Sequence, residues 1–364
     1  MSQKFRVIVA AIGVILGLFM AWYFFNILVY IIVAGVISLM GQPLVEVLSR
    51  LRIGKFSMPK TVAALITIVS LLGILVGLGF LFVPAISRQA ELISKINVAE
   101  VVNYFAGVID RLQGLLLSYD IIQTDETLQS ILDRQLRSVI QVTDFSNIME
   151  KLLNATTTVF IGLFSVLFLS FFFLRDRHLL RNGILLFTPD RFQVEVQNVL
   201  HKTKTMLSRY FIGLISELLL MMILISIGLT FFGIKNAIFI GFIGGLMNVI
   251  PYLGPIIGAT VGAVLGVSVD LGLGLYDNAL NTAVTVIMVF TTANILDNFV
   301  LQPLIYSKSV NAHPIEIFIV ILMAGSIAGI PGMILAVPGY TVLRIVAKEF
   351  LSGFKLIDKL TENI

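Results

Sequence analysis

The chain of 364 residues has no cysteine, and charge is scarce: 25 Lys and Arg with 21 Asp and Glu make up only 13% of it. Without cysteine there is no disulfide, no thiol nucleophile and no cysteine-held metal. A soluble domain is about 25% charged, so this charge poverty argues against a water-soluble globule. The three histidines, His178, His201 and His313, are scattered in sequence, and no His-Glu-x-x-His zinc motif joins any of them. There is no Gly-x-Ser-Gly serine site and no Walker A phosphate loop. Asp277 ends a Gly-Leu-Gly-Leu-Tyr-Asp string that superficially suggests an aspartyl intramembrane protease, but the required Gly-x-Gly-Asp partner is missing. No enzyme, cofactor, metal site or ATP-driven pump is expected.

Hydrophobic residues are plentiful, at 58% of the chain, and the mean hydropathy is +1.00. The expectation is an all-α integral membrane protein in a lipid bilayer. The net charge of +4 sits in particular loops, so it reads as an orientation signal and not as a nucleic-acid patch.

The chain is organised around residues 234–269. An apolar run over 237–247 meets Asn248-Val249-Ile250-Pro251-Tyr252-Leu253-Gly254-Pro255, and a second apolar run follows. Pro251, Gly254 and Pro255 break a helix, because proline lacks the amide and clashes with the preceding turn. With flanks this apolar the break is expected at membrane depth, where irregular backbone must be buried by protein or line a wet cavity. Gly329, Pro331 and Gly332 interrupt a second apolar stretch over 315–346. Paired interruptions of this kind point to a transporter's binding site.

Residues 1–84 read as three membrane helices. The run over 7–40 suits two short or tilted ones with a turn at 22–26, and a third fits 61–83 and stops at Pro84. Lys4 and Arg6 before apolar residues resemble a signal peptide's opening, but the uncharged run to 45 is too long for one, so retention is expected. Residues 85–150 hold nine acids and five bases. Their apolar positions fall at helical spacing, which predicts an extracytoplasmic amphipathic hairpin turning near 118–125. A fourth helix fits 151–174. The segment 175–209 is basic and amphipathic over 192–207. The transport core is placed at 210–348, with a fifth helix at 210–232, the first broken hairpin, a sixth helix at 282–305 and the second broken hairpin. A cytoplasmic tail occupies 349–364.

The positive-inside rule puts 41–60, 175–209, 306–313 and the tail in the cytoplasm, and 85–150 and 270–281 outside. Six crossings with both termini inside satisfy this. The two hairpins then enter from opposite sides, which is an inverted-repeat arrangement.

Asp297 lies deep in the sixth helix. An ionisable residue there costs roughly 2.5–3.5 kcal/mol on insertion scales and usually marks a pathway; the plain alternative is a residue near the helix end that merely hydrates. Asn294, Asp297 and Asn298 fall at i, i+3, i+4 spacing on one face, with Gln302 a turn on. Glu217 in the fifth helix is either a proton or cation carrier or a structural partner of a base such as Arg209. Asn248 and Tyr252 flank the first break and either contact the solute or satisfy the broken backbone. The glycines at 241–266 permit close helix packing, and His313 is read as an ordinary loop residue over a pH sensor.

The stretch 248–258 resembles the Asn-x-Ile-Pro-x-x-Gly-Pro signature of the AI-2E family (the autoinducer-2 exporter family, formerly an uncharacterised membrane family). Leu296-Asp297-Asn298-Phe299-Val300-Leu301-Gln302-Pro303, Val310-Asn311-Ala312-His313-Pro314, Ala328-Gly329-Ile330-Pro331-Gly332 and Ala336-Val337-Pro338 are also similar. So are 26–43 and 174–177. The resemblance covers nearly the whole chain, and 85–150 matches least. It implies a multi-spanning permease assembled as a homo-oligomer, a pentamer, in a bacterial-type cytoplasmic (inner) membrane. Members are associated with export of the quorum-sensing signal autoinducer-2, and others with sodium(lithium)/proton antiport. The expected function is therefore secondary export of a small polar solute, with Na+/H+ antiport, or a passive pore or scaffold, as the alternatives.

Overall fold

The computed structural model describes residues 16–17, 19–20, 22–50, 52–53, 56–104, 106–107, 110–111, 156–176, 178–306 and 313–351. The elements are α1 (Phe25–Arg50), β1 (Arg52–Ile53), β2 (Phe56–Ser57), α2 (Lys60–Ser94), α3 (Val98–Tyr104), α4 (Thr156–Arg175), α5 (Leu179–Leu186), α6 (Gln193–Phe231), α7 (Ala237–Met247), α8 (Leu253–Gly272), α9 (Tyr276–Leu296), a π turn (Asp297–Leu301), α10 (Gln302–Tyr306) and α11 (Pro314–Phe350). Apart from one antiparallel ladder pairing Arg52 with Ser57 and Ile53 with Phe56, the described residues in regular structure are helical, as the composition leads one to expect.

Six of the described helical segments are long and apolar enough to cross a membrane: Phe25–Arg50, Lys60–Ser94, Asp190–Phe231, Leu253–Gly272, Tyr276–Ile305 and Pro314–Phe350. Large apolar side chains stand exposed along them, among them Phe80, Phe231, Phe299 and Ile327. Water does not tolerate apolar surface on that scale, whereas lipid solvates it. This is a multi-pass membrane protein.

The chain divides into two compact units, one of residues 1–75 with 155–211 and the other of 76–154 with 212–364. In the first, Val45 of α1, Ala63 and Ala64 of α2 and Leu174 of α4 form a buried cluster backed by Leu167 and Phe171. Small residues let these helices approach: a Cβ on Gly41 would stand 3.1 Å from Thr67 Cγ2 and 3.2 Å from Leu174 Cδ2.

In the second unit, Ile225 and Leu229 of α6, Ile240 of α7 and Val286 and Phe290 of α9 make the core. Helices α7 and α8 fold back on one another as a hairpin. A Cβ on Gly258 would lie 3.2 Å from the Gly244 carbonyl oxygen, and one on Gly262 would lie 3.1 Å from Ile240 Cγ2. Glycine on both helices removes the side chains that would hold them apart.

Three boundaries differ from the sequence expectation. Helix α2 does not stop at Pro84 but runs through it to Ser94, because Gln89 and Ile93 beyond the proline are buried and that packing outweighs one lost amide. Residues 192–207 and the fifth helix are one continuous helix, α6, since no proline or glycine stands between Phe192 and Tyr210. Helix α1 runs past Met40 to Arg50 with Pro43 inside it. The hairpin turn expected near 118–125 and the tail from 352 lie outside the described residues.

Candidate functional site

The core-facing stripe of α9 sets where the site lies. Ala279, Thr282, Val286, Phe290 and Ala293 are buried at steps of three or four, and the next position on that stripe is Asp297. Its side chain is 0% exposed. A stripe that is otherwise apolar or hydroxylic thus ends on a carboxyl held wholly inside the protein.

The backbone there departs from α geometry. From Asp297 to Leu301 it forms a π turn, closed by the Gln302 N–H donating to the Asp297 carbonyl. Pro303 follows and has no amide with which to continue an ordinary turn. The wider turn places residue i+5 above residue i, and Gln302 Nε2 donates to Asp297 Oδ2 at 2.9 Å. Single π turns of this kind recur at functional sites. Asp297 Oδ1 is buried and accepts no hydrogen bond from the described residues.

Two further segments bring polar side chains to the same place. Asn248, 6% exposed, caps α7, and its Nδ2 donates to Oε1 of Glu217 on α6 at 3.3 Å. Glu217 is itself 6% exposed, and both side chains stand beside the Asp297 carboxyl. Four segments therefore supply a sequence of carboxyl, amide, carboxyl and amide: Glu217, Asn248, Asp297 and Gln302. Two acids this close repel one another in a low-dielectric interior. A proton or a small cation between them relieves that repulsion.

The helix break that carries Asn248 satisfies its own backbone. Asn248, Val249 and Ile250 amides donate to Gly245, Leu246 and Met247 carbonyls at 3.1–3.2 Å, and the Gly254 amide donates to the Ile250 carbonyl at 2.8 Å. The Asn248 side chain is thus available to Glu217. Tyr252 closes the break at φ 65°, with its ring edge-on to Phe318 of α11, centroids 6.3 Å apart. Gly254 lies against the Met247 carbonyl oxygen, leaving no room for a Cβ. Pro251 sits in the break itself, and Pro255 is in the first turn of α8, where a missing amide does no harm.

The second interruption lies within α11, where Ala328 and Gly329 leave helical geometry, Gly329 at φ 60°. Gly332 packs on the Ala324 carbonyl and Gly325 faces Met333, so the limbs 314–327 and 330–350 turn back on each other. Pro331 stands at the start of the second limb. At about 1.5 Å per residue the first limb rises roughly 21 Å, short of the ~30 Å hydrocarbon core. His313 caps α11, its Nδ1 accepting from the Ile315 amide at 3.3 Å.

Not every residue expected at the site joins it. Asn294, Asp297 and Asn298 do not share one environment: Asn298 is exposed, Asn294 is half-buried, and Asn298 Nδ2 donates to Asn294 Oδ1 at 3.1 Å. They flank the buried acid from outside. Gln89 is not among the residues the sequence marks, because it lies beyond Pro84 in a segment whose acidic balance reads as extracytoplasmic. It is 3% exposed and its Nε2 donates to the Leu265 carbonyl at 2.9 Å and to Ser268 Oγ at 2.6 Å. A lone amide at a helical step from apolar Ile86 and Ile93 was the available signal. Among the described residues no group of three acids, histidines or cysteines is arranged to hold a metal ion.

Residues 12–352 match the model of the AI-2E family transporter. The chain is 25% identical to YueF of Bacillus subtilis over 343 residues, which is 91% of this chain and 87% of that one. It is 24% identical to MJ1177 of Methanocaldococcus jannaschii over 88% of this chain and 90% of that one. With YrrI of Bacillus subtilis it shares 31% identity over half of each chain. All three are named as candidate transport proteins.

Proposed function

The chain belongs to the AI-2E transporter family, and from that premise we propose that it is a secondary transporter exporting a small polar solute of the autoinducer-2 kind, coupled to a proton through Glu217 and Asp297. The observation that carries this reading is the fully buried Asp297 carboxyl set beside Glu217 at a helix break. A buried acid without a basic partner among the described residues is expensive to keep charged, and membrane proteins retain such groups where ions or polar solutes pass. The reversals at 248–252 and 328–329 serve as two oppositely entering hairpins of an inverted repeat, with both termini cytoplasmic in an inner membrane and 85–150 as an extracytoplasmic cap. A homo-oligomer, a pentamer, completes the proposal.

The test is efflux of autoinducer-2 from proteoliposomes. Wild type exports it saturably, and Asp297→Asn, still inserted and assembled, does not. Unsaturable leakage in both proteins would indicate a pore, and no flux in either a scaffold. The two adjacent acids also favour a second reading, sodium(lithium)/proton antiport, in which the pair alternates between proton and cation. Under that reading added sodium or lithium releases protons without any organic solute.

A further inference from the structure

A second polar cavity lies apart from the Asp297 cluster, and none of Glu217, Asn248, Asp297 or Gln302 lines it. Its volume is about 230 Å³, far more than the ~10–15 Å³ that a single water needs on the same measure. It opens where the loop joining α6 to α7 meets the end of α8 and the first turns of α9. Asp270 of α8 is one wall, 7% exposed, and its Oδ2 accepts from Thr282 Oγ1 at 2.5 Å. Lys235 of the loop is another, and Asn278, Asn281 and Thr285 complete the polar lining.

The charges in this cavity are unmatched. Among the described residues Asp270 has a hydroxyl for a partner and no cation within 4 Å, and Lys235 has no carboxylate within that distance. A buried carboxylate seeks a cationic hydrogen-bond donor, and a lysine ammonium seeks an anionic acceptor. One wall of each sign, with amides and hydroxyls between, makes a lining of no net charge. A ligand of matching chemistry has an ammonium for Asp270, a carboxylate for Lys235 and little else.

We propose that this cavity binds a small zwitterion of the α-amino acid class, its ammonium on Asp270 and its carboxylate on Lys235. The Asn278, Asn281 and Thr285 side chains take the remaining donors and acceptors. Binding here goes beyond the transport reading and is read at equilibrium, without any gradient, so it stands or fails independently of Asp297.

Equilibrium dialysis of the purified full chain against tritiated glycine, L-alanine and L-serine is the test. Wild type binds at least one saturably. Asp270→Asn, which still accepts from Thr282, weakens it at least tenfold, Lys235→Met several-fold, and Asp297→Asn leaves it unchanged. Lys235 is on an exposed loop, so its variant reports binding without disturbing the fold. No saturable binding up to tens of millimolar overturns the proposal, as does wild-type affinity in Asp270→Asn. Full amino-acid affinity in Lys235→Met, with loss only in Asp270→Asn, overturns the zwitterion class in favour of a simple ammonium or sodium site.

Discussion

Gln302 reaches Asp297 only because the helix between them is a π turn: five residues apart, they meet at 2.9 Å between Nε2 and Oδ2. In a regular α-helix residues i and i+5 point in different directions. The π turn thus aims a hydrogen-bond donor at the one acid on the core-facing stripe of α9, while Asn248 and Glu217 approach from other segments.

Removing that donor has a defined consequence. Gln302→Leu deprives the Asp297 carboxyl of a hydrogen bond worth about 0.5–1.5 kcal/mol. Transport falls by roughly two- to tenfold at that energy, while membrane insertion and assembly persist. Gln302→Glu, placing a third acid at the site, lowers transport further. Proteoliposome flux normalised to reconstituted protein checks both.

Close packing at Phe290 is the second test. A Cβ on Gly262 would stand 2.9 Å from the Phe290 ring, so Gly262→Ala destabilises by about 1–3 kcal/mol through overpacking. Phe290→Leu in the same chain frees that space, and the double variant melts higher than the sum of the two single losses predicts. Thermal unfolding in detergent, followed by size-exclusion, measures the coupling.

Backbone strain at Tyr252 gives a third. At φ 65° a side chain is unfavourable by about 1–3 kcal/mol. Tyr252→Gly keeps or raises the melting point, whereas β-branched Tyr252→Val lowers it. If the Tyr252 ring contacts the solute, Tyr252→Gly alters flux without loss of stability.

Where α3 meets the start of α9, the Tyr104 hydroxyl donates to Asp277 and the Tyr276 hydroxyl donates to Glu100 at 2.7 Å, with the two rings stacked. The bond to Asp277, followed by desolvation and the carboxylate's charge, holds the Tyr104 phenol above its ordinary range. A raised folded value means the contact's stabilisation is present below the ordinary tyrosine pKa near 10 and is lost as pH rises through the raised one. Ultraviolet titration of wild type against Tyr104→Phe therefore removes a late-ionising tyrosine. Loss of an early one instead contradicts the bond.

How much of this was legible in the sequence follows from which forces are local. The break at Pro251, Gly254 and Pro255 is written in residues that cannot continue a helix, and the carboxyl of Asp297 stands out among apolar neighbours. The meeting of Glu217 with Asn248 joins positions 31 apart and has no local sign. The π turn is equally hidden: spacing alone put Asn294, Asp297 and Asn298 on one face, and only burial separates the inward acid from the outward amides. Pro84 misled for a related reason. Its local preference is to end a helix, but Gln89, bonded to α8 from three percent exposure, shows that packing further on holds the helix together.

Internal pH of proteoliposomes is the measurement that bears most directly on the coupled acid pair. Purified wild-type protein moves protons saturably when solute is exported or when sodium or lithium is added, and assembled Asp297→Asn moves none. Undiminished proton movement in assembled Asp297→Asn would contradict the account.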